Sequence, residues 1–204
     1  MIRRDVRLLA IITLVAYGPL ILIWSLCIFG VAWTIAGVEM FMLVPVIALI
    51  AALVGLVTVP FKRWRQPAIG AMVVGGGLVL LFVPAAVIAG KLRMLGFELA
   101  AERAAPLVAA IKAYERDNGA PPATLDELQP HYLPERPKRI PPFELVTGET
   151  ARSEYGGNAW VLVAVVSTGL INWDLFVYFP NQQYPELGYG GSIERVADWA
   201  YVHE

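Results

Sequence analysis

The side chains whose types could do chemistry are the adjacent carboxylates Asp126 and Glu127, the pair Glu194 and Asp198, and the two histidines, His131 and His203. General acid–base work needs two groups converging on one reacting atom within hydrogen-bond reach. Adjacent helix positions diverge, and Glu127 already has a use in helix capping, described below. Glu194 and Asp198 would be neighbours on a helix. Their surroundings, "RVADWAYVH", read as strand, where they share a face only as solvated charges. His131 is expected at the surface of a turn. "DNG" at 117–119 lacks the alternating oxygen ligands of a calcium loop. No nucleophile elbow, phosphate-binding glycine loop or metal-ligand spacing occurs. No catalytic, cofactor-binding or metal-binding residue is therefore assigned, no cofactor is expected, and the chain is expected not to be an enzyme.

The elements that could hold such residues divide sharply by composition. The chain has 204 residues, 57% hydrophobic and 16% charged, against about 25% charged in an ordinary soluble domain. Leu8 to Val38, Met40 to Phe61 and Pro67 to Gly90 contain no charge. A helix of about 22 residues is roughly 33 Å long, enough for a hydrocarbon core of about 30 Å. Three transmembrane helices are expected, at about 8–30, 39–60 and 68–90. Together they form an anchor over 1–90, followed by an external domain over 91–204. The first run exceeds a signal-peptide core of about 7–15 residues, so it is expected to stay as an anchor.

Lys and Arg favour the cytoplasmic side. Arg3, Arg4 and Arg7 precede the first run, and Lys62, Arg63 and Arg65 lie between the second and third. With three crossings this predicts a cytoplasmic N-terminus and an extracytoplasmic C-terminal domain at a bacterial inner membrane, multi-pass, with membrane lipid as one partner. That domain carries ten basic and fifteen acidic residues, and no basic stripe outside the short loops suggests nucleic-acid binding. The single cysteine, Cys27, lies in the first apolar run, so the domain has no disulfide.

Transport requires ionisable groups or broken helices at membrane depth. The apolar runs offer Thr13, Tyr17, Ser25 and Thr58, with Gly18-Pro19, Pro45 and Pro84 as kink sites. Ala71 with Gly75, and Ala85 with Ala89, have the small-xxx-small spacing that lets helices approach closely.

Beyond Lys91 a helix is expected to continue outward, with Ala100, Ala104, Leu107, Ile111 and Tyr114 on one face and Lys112, Glu115 and Arg116 opposite. Pro106 predicts a kink near 102–106. Gly119 is placed to supply a left-handed C-terminal cap. "TLDE" at 124–127 has the capping-box pattern, opening a short helix with Leu125 and Leu128 that Pro130 ends. Tyr132 and Leu133 would dock it. Strands are expected at 143–147, 159–166, 173–179 and 195–203, rich in β-branched and aromatic residues between turn-forming clusters. The second strand is apolar on both faces and should be central, covered by the long helix. In the third, Trp173, Leu175, Val177 and Phe179 share a face. A long helix followed by an antiparallel meander is an α+β arrangement.

"AIKAYERDNGAPPATLDELQPHYL" resembles the globular region of type IV pilins and of the major pseudopilin of type II secretion systems. In that family a helix ends in Tyr-x-x-Asp-x-Gly, followed by a Pro-containing turn, a short Leu-x-x-Leu helix, and Tyr-Leu before a proline. Tyr114, Asp117, Gly119, Pro122, Leu125, Leu128, Tyr132, Leu133 and Pro134 occupy those places. The resemblance spans roughly residues 100–204 and is specific over 109–134. It implies a long helix packed on a small antiparallel sheet, and a place in secretion or pilus machinery. The family's prepilin leader would need a Glu at the fifth place counted from Phe97, with a membrane helix after it; that place is Ala101 and no membrane helix follows, so an uncleaved chain is expected. "NQQYPELGYGG" offers only Glu186 towards the family's calcium loop, so no calcium site is expected.

The leading expectation is a membrane-anchored, non-catalytic interaction module. A protein partner would bind the external domain, with Tyr178, Tyr184, Tyr189 and Trp199 as candidate contacts. Self-association would use that domain or the small-residue faces of the third helix. A sensor or ligand-binding membrane protein is the alternative, and a small transporter or membrane enzyme the third.

Overall fold

In a computed structural model, residues 2–31, 33, 41–168, 173–185 and 192–203 are described. Among the described residues four α-helices form: α1 (Ile2–Ile28), α2 (Leu43–Thr58), α3 (Arg65–Asn118) and α4 (Gly148–Glu154). The five strands are β1 (Glu144–Thr147), β2 (Trp160–Thr168), β3 (Trp173–Tyr178), β4 (Ile193–Val196) and β5 (Trp199–Val202). The chain divides into two compact units, Met1–Ser25 with Gly37–Leu92, and Leu26–Ala36 with Arg93–Glu204.

The expectation of three transmembrane helices is corrected: among the described residues two helices are long and apolar enough to cross a membrane. They are α1, whose Arg7–Ile28 stretch has 22 residues, and α3, with 54. The second run forms only the 16 residues of α2, about 24 Å at about 1.5 Å per residue, short of a core of about 30 Å. Freedom from charge over 40–61 set its apparent length, but the helix stops at Thr58, where a turn carries Val59 and Pro60. Glu39 and Met40, the expected start of that span, lie outside the described residues.

In the first unit, Tyr17, Ala48, Leu78 and Ala85 are buried together. The Tyr17 hydroxyl donates to the Leu78 carbonyl at 2.8 Å, giving the phenol a partner in an apolar setting. Ser25 and Thr58 donate to carbonyls four residues back in their own helices, an ordinary way to satisfy a hydroxyl in a helix. Glycines set how closely α2 and α3 approach. A Cβ on Gly55 would lie 2.7 Å from the Ala68 carbonyl oxygen, and one on Gly75 would overlap the Ala48 carbonyl. Ala85 and Ala89 are buried as well, so these small residues are covered within the chain. Leu80 is 78% exposed and Val57 71%, as apolar side chains facing lipid would be.

The second unit is α+β: the 93–118 part of α3 packs on an antiparallel sheet of order β1-β2-β3-β5-β4. Pro106 leaves the helix assignment unbroken, so α3 is one element from Arg65 to Asn118. Gly119, at φ +75°, donates to the Glu115 carbonyl at 2.8 Å and closes it. Register places Leu162 opposite Tyr178, Ala164 opposite Phe176, Phe176 opposite Tyr201 and Tyr178 opposite Trp199. These residues share one face, and the Phe97 ring of α3 stacks against Phe176 and tilts against Tyr201, both at 4.9 Å. The opposite face carries Val161, Val177, Ala200 and Val202 under Tyr155 and Phe179. Val177 and Phe179 do share that face, with Leu175 packed beside them; the side chain of Trp173 lies outside the described residues.

Three local expectations change. The run 195–203 makes a hairpin, β4 and β5, not one strand, because Ala197 takes a left-handed φ of 52° and reverses the chain. One of the connections expected to be turn-forming holds a helix, α4, over Gly148–Glu154. The capping box does not form: the Thr124 side chain makes no cap bond, and the Glu127 carboxylate accepts from the amide of Ala123, one residue before the cap, at 3.2 Å.

Candidate functional site

Of the sequence-nominated chemical residues, Glu194 and His203 approach each other at 3.6 Å, and the others do not converge. Asp126 pairs with Arg136 at 2.6 Å. Glu127 accepts from the Tyr114 hydroxyl at 3.1 Å as well as from Ala123, and that bond is the main reason the Tyr114 phenol sits above its ordinary pKa. His131 is exposed in its turn, and Asp198 is exposed between β4 and β5. Among the described residues no group of His, Cys, Asp or Glu could hold a metal ion.

Two groupings were not foreseen. Around Tyr201, at the sheet face under α3, the Arg93 guanidinium lies 4.6 Å from the ring centroid and His203 meets the ring edge-on at 4.1 Å. The hydroxyl donates to the Asp174 carboxylate in a very short contact. Burial raises the Tyr201 pKa strongly, Arg93 opposes the shift, and the Asp174 bond adds to it. Tyr201 is thus a neutral donor held in place. His203 also approaches Glu194 at 3.6 Å. The groups of the cluster are engaged with one another, the Tyr201 hydroxyl with Asp174 and its ring with Arg93, Phe97 and His203.

The second grouping is an open groove of about 560 Å³ between α3 and the β4–β5 turn, within the size range of about 300–1,000 Å³ usual for binding sites. Ala101 and Val108 are buried at its floor, and Ala105 and Ala109 are exposed along it. Tyr178 and Trp199, with the Ala197-Asp198 turn, form the facing wall. The helix supplies Glu98, Glu102 and Lys112 at the lips, and the Lys112 ammonium stands 5.4 Å from the Tyr178 centroid. The groove exists because the hairpin brings Trp199 beside a helix face of alanines too small to fill the gap.

Of the candidate contact aromatics, Tyr178 and Trp199 are buried, with 4% and 3% exposure, so they are core residues that show an edge to the groove. Tyr184 is half-buried, packing on Phe179 and donating to Gln182 at 2.7 Å. Tyr189 and Glu186 lie outside the described residues. The alanine row at 101, 105 and 109 was a legible signal for the groove, yet which sheet edge would face it was not. In comparisons with known proteins, no family model, curated protein or solved structure matches this chain.

Proposed function

We propose that this chain is a membrane-attached, non-catalytic interaction module, pilin-like or pseudopilin-like in its second unit, acting at a bacterial cytoplasmic membrane in a secretion- or pilus-associated assembly. The observation that carries the reading is the groove along α3, which presents exposed alanines between charged lips on a rigid helix. The resemblance is supported by the local packing of its residues. Gly119 closes the helix, Leu128 is fully buried, and Tyr114 and Tyr132 rest ring to ring at 5.3 Å.

Attachment is through α1 and α3. A sensor is the second reading, favoured by the unbroken run of α3 from an apolar stretch into the second unit.

The test is photo-crosslinking in intact membranes, with a benzophenone amino acid at position 105 and a control at exposed position 123. A discrete adduct to another chain from 105 alone is expected. No adduct from 105, or equal adducts from both, removes the reading.

A further inference from the structure

We propose that the groove along α3 receives a helical segment of another polypeptide bearing Lys or Arg on both sides of an apolar ridge. This rests on the interaction-module reading and names the partner's chemistry. Ala101, Ala105 and Ala109 are four residues apart, so they form one ridge of the helix, small enough for another backbone to approach closely. From Glu98 to Lys112 the groove follows roughly 21 Å of helix at about 1.5 Å per residue. That length suits several turns of a partner helix better than a small molecule.

Charge decides which helix. Glu98 and Glu102 are exposed one turn apart, where like charges repel, and Asp198 stands on the opposite lip. None of the three makes an ion pair among the described residues. The single cation lining the groove is Lys112, held over Tyr178. Three carboxylates against one ammonium repel an anionic lipid surface or an acidic peptide and attract a basic one. A basic partner also relieves the Glu98–Glu102 repulsion.

The probe is a fluorescent Leu/Ala/Lys amphipathic peptide, titrated by anisotropy against the full chain in phosphatidylcholine nanodiscs, beside a counterpart with Glu in place of every Lys. The Lys peptide should bind at least tenfold tighter than the Glu peptide, and more weakly as salt rises. Combined Glu98→Gln, Glu102→Gln and Asp198→Asn should weaken it at least tenfold, as should Ala105→Trp, which fills the groove from an exposed position. Glu149→Gln, in α4, should leave it unchanged. Equal affinity for the two peptides, or Lys-peptide affinity untouched by the triple variant, overturns the proposal. A concentration-dependent dimer that Ala105→Trp abolishes, without peptide binding, assigns the groove to a second copy and also overturns it. If the Lys peptide fails to bind while the position-105 adduct persists, the cationic partner falls and the interaction module stands; loss of both removes both.

Discussion

Arg103 reaches back 75 positions to Ile28, its Nη2 donating to that carbonyl at 2.8 Å. The carbonyl is one of the last of α1, which lack partners within their own helix, and a cation at a helix C-terminus also meets the dipole favourably. The same guanidinium donates through Nη1 to the Arg139 carbonyl at 3.3 Å. Arg103 thereby fastens the 26–31 segment and the 136–140 loop to α3. Arg103→Ala should destabilise the protein by about 1–2 kcal/mol, as for a partly exposed charged hydrogen bond, and Arg103→Lys by less. Unchanged thermal unfolding of the alanine variant in nanodiscs would count against the clamp.

Gly30, in the same region, has φ +76°, and a Cβ there would overlap Arg139. Gly30→Ala should cost about 1–3 kcal/mol from backbone strain and crowding together. Gly90→Ala, where a Cβ meets open space, should be neutral or mildly stabilising. Equal melting shifts in the two variants would refute the close approach.

Leu128 is fully buried beneath the 125–133 turn. Leu128→Ala should cost about 2–5 kcal/mol, the usual range for a core leucine. Chemical denaturation giving a loss below about half a kilocalorie per mole, well under that range, would show the turn hanging free. Tyr114, on the expected packing face of the long helix, is only half-buried, because its hydroxyl reaches the exposed Glu127; Tyr114→Phe should be milder.

The indole of Trp160 is buried and donates to the Glu115 carboxylate at 2.9 Å. Glu115→Ala strands that donor and should cost about 1–3 kcal/mol, whereas Glu115→Gln keeps an acceptor and should recover most of it. If the two variants unfold alike, the bond contributes nothing.

Tyr201 has a folded pKa raised well above its ordinary value of 10.0. Below pH 10 the phenol is neutral in both states and its burial contributes fully. Above that, the unfolded chain ionises first and binds fewer protons, so stability falls as pH rises. Melting temperature should decline from about pH 10 upward, near the ordinary tyrosine pKa, and the decline should shrink in Tyr201→Phe. An identical alkaline profile would remove Tyr201 as its source.

Local rules made much of this protein legible in its sequence. The apolar runs, the helix face of Ala100, Ala104, Leu107 and Ile111, the Gly119 cap, and the four strand-forming segments all follow from periodicity and turn chemistry acting over a few residues. So does the α+β order of the second unit. Tertiary structure alone decided the rest. Freedom from charge says nothing of where a helix stops, so the length of α2 escaped. Glu115, expected opposite the packed face, instead turned towards the sheet, where the buried Trp160 indole donates to it. Ala197 carries no glycine-like signal, yet pairing of β4 with β5 holds it at positive φ and folds one apparent strand into a hairpin. The groove follows from that hairpin, since a row of alanines becomes a site only when a distant segment, Ala197 to Trp199, is brought beside it.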